Sequence, residues 1–256
     1  MKAFILAAGQ GTRMGSETDD KPKCLIQYKG KPLINYTIET MRACGIKDIV
    51  IIDGYKSEVL QSYLSNDNVI FITNKEFYKT NMVYTLFCAE SEMNDDLIIS
   101  YGDIIYTKEV LQSLIQNNND FAVTVDKNWR ELWKLRMDNP LKDAETMKLD
   151  DSCNIIELGR KSKSYKEING QYIGLVKISN SILKRVRNFY HDLDSSKYYD
   201  GKDYINMYMT SFIQLLINSG YPVKADIIRN GWLEFDSQDD LIVYESQRNL
   251  LLTKNF

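Results

Sequence analysis

Apolar residues run almost unbroken through KAFILAA (2–8), DIVIIDGY (48–55), NVIFITN (68–74), DLIISYGD (96–103) and FAVTVD (121–126). A strand covered on both faces has no polar face to alternate with, so such runs predict the strands of a buried sheet. Between them the period changes. PLINYTIETMRACG (32–45) sets Leu33, Tyr36, Ile38 and Met41 at helical spacing and stops at Gly45. SEVLQSYL (57–64), NMVYTLFCAESEM (81–93) and TKEVLQSLIQ (107–116) read as further helices, with Ser57 and Asn81 at starting positions. The alternation predicts an α/β fold: a mostly parallel, Rossmann-like sheet with helices on both faces. The rhythm weakens between Asp126 and Gln171, a polar stretch with two tryptophans. It resumes in YIGLVKIS (172–179), a helical region from Ser181 and a helix in YMTSFIQLLINSG (208–220). There is no Pro/Gly/Ser-rich linker, repeat or low-complexity segment. One domain is expected: a core over 1–125, an insertion or lid over 126–172, and the remaining core with C-terminal helices over 173–256.

Composition narrows the function. The 256 residues carry a net charge of −3, which argues against a broad basic face for nucleic acid. Any anion site is therefore local. Cys24, Cys44, Cys88 and Cys153 are far apart with no CxxC pair, and read as reduced thiols of a cytoplasmic protein. One histidine, His191, leaves little room for a histidine zinc site or a catalytic triad, and it reads as an exposed residue. The apolar stretch after Lys2 is too short for a signal peptide, and no run reaches membrane-span length. A soluble, cytoplasmic chain without membrane or nucleic-acid partners is expected.

The chemistry concentrates where the first strand meets a loop, in FILAAGQGTRMG (4–15). Glycines there let backbone approach a ligand, and a cation beside them implies that the ligand is an anion. A Walker A loop would end in Gly-Lys-Ser/Thr, which is missing. A dinucleotide fingerprint needs its third glycine one residue before Gly15. A third pattern is complete: Gly9, Gly11, Thr12 and Arg13, followed about ten residues later by Pro22-Lys23. Gly9 and Gly11 would turn backbone N–H groups toward a triphosphate. Arg13 would neutralise the outer phosphates with its planar fork, and Lys23 would return as a point charge to the α-phosphate, steered by Pro22.

LAAGQGTRMG with DDKPKCLI resembles the signature of the nucleotidyltransferases that make NDP-sugars and related activated compounds. GKPLINYTIETMRACGIKDIVIIDGY, TNMVYTLFCA and WLEFDSQDDL resemble bacterial CTP-dependent cytidylyltransferases acting on phosphocholine-type substrates. The segments DKNWRELWKLRMDNPLKDAETMKL and ELGRKSKSYKEINGQYIGLVKIS resemble most the CTP:glutamine-phosphate cytidylyltransferases of capsule phosphoramidate synthesis. Met14-Gly15 and Gln27-Tyr28 depart from the hexose-1-phosphate signature, which puts a sugar acceptor in doubt. The resemblance implies transfer of CMP from CTP to a small phosphorylated acceptor, with pyrophosphate released. Glutamine phosphate is the leading acceptor; phosphocholine, 2-aminoethylphosphonate and then a sugar 1-phosphate are the alternatives.

The same resemblance assigns Asp103 and Asp236 to one Mg²⁺, a hard cation that takes carboxylates, water and phosphate oxygens. Read without it, each aspartate is more readily a turn or cap residue, and Asp239 and Asp240 read as the cap and first turn of the next helix. Base recognition falls on backbone around Ala8 and Gly9 and on Thr80-Asn81-Met82, where Asn81 either reads cytosine or only caps a helix. Acceptor recognition falls in the insertion. Trp129, Trp133 and Arg136 share one face if the stretch is helical, forming either an acceptor wall or core. In the acceptor reading Arg136 holds an amino-acid carboxylate. Lys161 matches the family lysine on the acceptor phosphate, and Glu145, Gln171 and Tyr172 are further candidates. A homodimer is carried as an expectation of assembly. An NAD-dependent oxidoreductase and a non-catalytic nucleotide sensor remain the rival readings from other classes.

Overall fold

The computed structural model describes residues 1–246. Seven strands form the central sheet: β1 (Lys2–Leu6), β2 (Asp48–Asp53), β3 (Ile70–Thr73), β4 (Leu97–Tyr101), then, beyond a short β5 (Ile104–Tyr106) outside it, β6 (Phe121–Asp126), and later β9 (Gln171–Ile178) and β10 (Lys224–Ile228). The hairpin β7 (Glu145–Leu149) and β8 (Ile155–Lys161) lies between β6 and β9 in sequence. The sheet order is β10-β6-β9-β4-β1-β2-β3. All neighbours are parallel except β9, which runs antiparallel to both β4 and β6. The mostly parallel expectation holds, with one reversed strand inside the sheet.

Each predicted helix is present, including α1 (Leu33–Ala43), α2 (Ser57–Tyr63), α3 (Met82–Cys88) and α4 (Lys108–Gln116). In α1, Leu33, Ile34, Ile38 and Met41 face the core, as the 3.6-residue period requires. The insertion supplies α5 (Trp129–Arg136), whose Trp129, Leu132 and Trp133 are buried in the same apolar cluster as the α1 face. α6 (Asn180–His191), α7 (Met209–Asn218) and α8 (Gln238–Ser246) complete the described helices. Gln171 and Tyr172, expected in the insertion, lie on sheet strand β9. His191 ends α6 on the surface and pairs with Glu90 at 2.8 Å. All four cysteines are free, and no helix among the described residues is long and apolar enough to cross a membrane.

A second, smaller ribbon positions the chemistry. After Asp103 the chain forms β5, which pairs antiparallel with β11 (Trp232–Glu234), setting Glu234 opposite Ile104. The Phe235 N–H donates to the Asp103 carbonyl at 2.9 Å. The fully buried Phe235 ring packs against Tyr28 and Tyr244 and fixes this end of the ribbon. Two aspartates far apart in sequence are thereby held side by side at the carboxyl edge of the parallel strands, where open α/β sheets take their ligands.

Candidate active site

The loop after β1 keeps to the plane of the sheet edge. The Ala7 N–H donates to the Ile52 carbonyl and the Gly102 N–H to the Leu6 carbonyl, while the Ala8 carbonyl accepts from Tyr55. A Cβ on Gly9 would meet nothing within 4 Å, so this stretch of backbone faces open space. Gly11 sits at φ +64°, and a Cβ there would lie 3.0 Å from the Cβ of Lys23. Glycine is needed at that position for both conformation and room. Met14, fully buried, anchors the turn that follows, and Thr18 Oγ1 donates to the carbonyls of Gly11 and Gly15. Pro22 then directs Lys23 back beneath the loop.

The result is a cleft of about 230 Å³. Ala8, Gly9, Gly11, Thr12, Arg13, Lys23, Asn81, Asp103 and Asp236, expected for nucleotide and metal from the sequence, all line it. Phe77 and Thr85 complete its wall and carried no sequence signal. Asn81 caps α3, its side-chain oxygen accepting from the Met82 N–H at 2.8 Å, and it also faces the cleft. The capping role is observed, and the side chain lies in the cleft wall as well. Cys24 lies in the wall as well, and burial pushes its thiol up to about 12, which leaves it neutral rather than nucleophilic.

Charges meet at one end of the cleft. Lys23 Nζ stands 2.6 Å from Asp103 Oδ2 and 3.2 Å from Asp236 Oδ1, and Arg13 pairs with Asp236. Burial opposes the Lys23 ammonium, but Asp103 and Asp236 outweigh it and leave the pKa above its ordinary value. The other oxygen of Asp103 is buried without a hydrogen-bond partner. An anionic oxygen in that state is a free ligand for a cation. No group of three or more His, Cys, Asp or Glu among the described residues could hold a metal by itself. Two carboxylates completed by phosphate oxygens and water are a donor set that suits Mg²⁺.

A second cavity, about 400 Å³, adjoins the first and shares Arg13, Asn81, Met82 and Asp236 with it. Trp133, Glu145, Gln171 and Tyr172, expected for the acceptor, line this cavity; Trp129, Arg136 and Lys161 do not. Trp129 is buried core, set edge-on against Trp133. Lys161 is exposed at the end of β8.

Arg136 is the larger correction. Its side chain is 3% exposed and already committed: Nε lies 2.8 Å from Asp240 Oδ1, Nη2 3.2 Å from Asp240 Oδ2, and Nη1 pairs with Glu234. Trp129, Trp133 and Arg136 lie on one helix, α5, but its cation points to carboxylates of the chain itself. Asp240 lies in the first turn of α8, as expected, yet it is buried. Its Oδ2 accepts the backbone N–H groups of Asp236 and Ser237 at 2.8 and 2.9 Å. Burial, only partly countered by Arg136 and reinforced by Asp236 and Asp103, pushes Glu234 up to about 7. Glu234 and Asp240 were missed as site residues because nothing local in WLEFDSQDDL distinguishes them from turn carboxylates.

The model of the MobA-like NTP transferase domain matches residues 3–195. The chain belongs to that family. It is 46% identical over 250 residues to a CTP:phosphoglutamine cytidylyltransferase of Campylobacter jejuni subsp. jejuni, covering 95% of this chain and 98% of that one. It is 34% identical over 123 residues to a choline-phosphate cytidylyltransferase of Streptococcus pneumoniae, covering 48% of this chain and 53% of that one. Among solved structures, the inositol-1-phosphate CTP transferase from T. maritima superposes with a TM-score of 0.74 at 20% identity, over 97% of this chain and 96% of that chain. The S. pneumoniae CTP:phosphocholine cytidylyltransferase superposes with a TM-score of 0.71 at 21% identity, over 96% and 97%. Both superpositions establish the Rossmann-like nucleotidyltransferase fold.

Proposed function

We propose that this MobA-like NTP transferase moves CMP from CTP to glutamine phosphate and releases pyrophosphate, as a step of capsule phosphoramidate synthesis. The observation that carries the reading is near full-length likeness to the C. jejuni enzyme in a chain whose two cavities meet at Arg13 and Asp236. The first cavity takes the nucleotide and the second the acceptor. An acceptor phosphate oxygen attacks the α-phosphorus, forming a new O–P bond. The bond from that phosphorus to the bridging oxygen breaks, and pyrophosphate leaves with the electron pair. The attacking oxygen is already ionised near neutral pH, so no general base is required. Catalysis is then in-line positioning and charge neutralisation.

Arg13 and Lys23 serve the triphosphate, and Asp103 with Asp236 would hold the Mg²⁺. When bound, that ion supplies Lewis-acid neutralisation of the phosphate oxygens. Lys23 approaches the α-phosphate from below the loop, where charge grows during transfer. Lys23→Ala is therefore expected to lower kcat by about a hundredfold or more while the KM for CTP changes severalfold at most. Steady-state kinetics at saturating acceptor measure this. Retention of kcat with a raised KM would reduce Lys23 to a ground-state contact.

Release of pyrophosphate from CTP and Mg²⁺ with a panel of acceptors tests the whole reading. Glutamine phosphate is expected to be used best, and failure to release pyrophosphate with any acceptor would overturn the assignment. A second reading, phosphocholine, is favoured by the aromatic rings in the acceptor cavity: Tyr101, Trp133, Tyr172 and Tyr208 suit a quaternary ammonium. A preference for phosphocholine in the same panel would select it.

A further inference from the structure

The acceptor cavity contains a carboxylate that nothing in the described chain uses. Glu145 begins β7 and lines the cavity beside Tyr172 and Asp143. Its backbone is clamped: its N–H donates to Gln171 Oε1 at 3.0 Å, and its carbonyl accepts from Gln171 Nε2 at 2.6 Å. Gln171 is buried on β9, so strand and hairpin are locked together at this point. The Glu145 carboxylate itself has no hydrogen bond or ion pair among the described residues. Lys161 stands opposite in the β7–β8 ladder but makes no ion pair with it. The other charges that bear on it are acidic, Asp143 and Asp200. Asp143 is already held, accepting from Trp133 Nε1 at 2.9 Å. An unpaired carboxylate on a clamped backbone, in a cavity that also presents Tyr101, Trp133, Tyr172, Glu234 and Asp236, is poorly placed for an anion and well placed for a cation that arrives with the substrate.

We propose that Glu145 binds the ammonium group of the acceptor and makes it the specificity-determining contact for an amino-bearing phosphate. The inference rests on the acceptor reading above and adds which acceptor group is recognised and by what. Glutamine phosphate carries one ammonium, at the end remote from its phosphate. Glu145 would receive that end, while the phosphate lies toward Arg13 and Asp236, where the two cavities join. Tyr101 and Tyr172, meeting edge to face at 5.6 Å, form an aromatic wall of the same cavity. The geometry has a consequence for pH. Burial, with Asp143 and Asp200, raises the Glu145 carboxyl to about 7. Below that pH it holds a proton, which the incoming ammonium must displace. The KM for the acceptor is then expected to rise as pH falls below about 7, by as much as tenfold per pH unit.

The test compares glutamine phosphate with its analogue lacking the α-amino group, each with CTP, in wild type and Glu145→Gln. Glutamine has nearly the shape of glutamate, so folding is preserved, and thermal denaturation checks it. Expected for Glu145→Gln is a loss of about 10- to 200-fold in kcat/KM toward glutamine phosphate, carried by KM. The same variant is expected to lose the acid rise in KM and to change little toward the des-amino analogue. Equal losses toward both compounds would overturn the inference, as would a wild type indifferent to the amino group. In the latter case the cytidylyltransferase reading would stand. A wild type inactive on both compounds would overturn the two together.

Discussion

Replacing Asp103 by Asn is expected to lower turnover roughly a thousandfold, about 4 kcal/mol of transition-state stabilisation, while leaving the melting temperature close to wild type. The side chain sits at a strand end and retains 18% exposure, so no core contact is lost. Its chemical position is what matters. One oxygen neutralises Lys23 at 2.6 Å and the other is buried without a partner. The amide keeps the shape but removes the negative charge that would hold Mg²⁺ and orient the lysine. Asp236→Asn is expected to act in the same direction and also releases Arg13, its ion-pair partner. Turnover against Mg²⁺ concentration, with CTP binding measured separately by calorimetry, distinguishes the causes. Turnover within tenfold of wild type at limiting Mg²⁺ in either variant would remove the shared-metal assignment.

Asp103 and Asp236 show where a sequence can be read and where it cannot. The loop from Ala8 to Arg13 is legible because its determinants are local. A buried strand, two glycines and a cation fall within ten residues, and Lys23 follows at fixed distance. The pairing of the aspartates is not local. It depends on the β5–β11 ribbon, whose strands are three residues each and too short to leave a period. Strand β9 was visible as an apolar run, but hydrophobicity carries no direction, so its antiparallel course was not. The same limit governs the second cavity. Trp129, Trp133 and Arg136 do share a helical face, yet spacing along one helix cannot name the partner across from it. Two of those side chains proved to be core, with Trp133 reaching the cavity from that position, and the third is claimed by carboxylates 98 and 104 residues further along. Glu145, Gln171 and Tyr172, in contrast, reach the cavity because β7 and β9 are stitched together by the Gln171 amide.

The second large effect falls on Arg136. Arg136→Ala is expected to destabilise the protein by about 3–5 kcal/mol, the cost of removing one partner from a buried ion pair. The guanidinium is the shared counter-ion of Glu234 and Asp240, and its carbon lies 5.3 Å from the centroid of the Trp133 ring. Without it, two carboxylates remain in a pocket that already disfavours charge. Asp240 also holds the N–H groups of Asp236 and Ser237, so its displacement would loosen the backbone that presents Asp236. Loss of fold and loss of site are therefore expected together. Arg136→Lys separates them: it restores a charge but not the fork that engages Asp240 through two nitrogens. Urea denaturation is expected to place the lysine variant between alanine and wild type. Its residual activity is expected to require more Mg²⁺, because Asp236 is less firmly held. A stability change below about 1 kcal/mol in Arg136→Ala would mean that the network does not stabilise the fold. Selective loss of a carboxylate-bearing acceptor in a stable Arg136→Lys protein would return this residue to substrate binding.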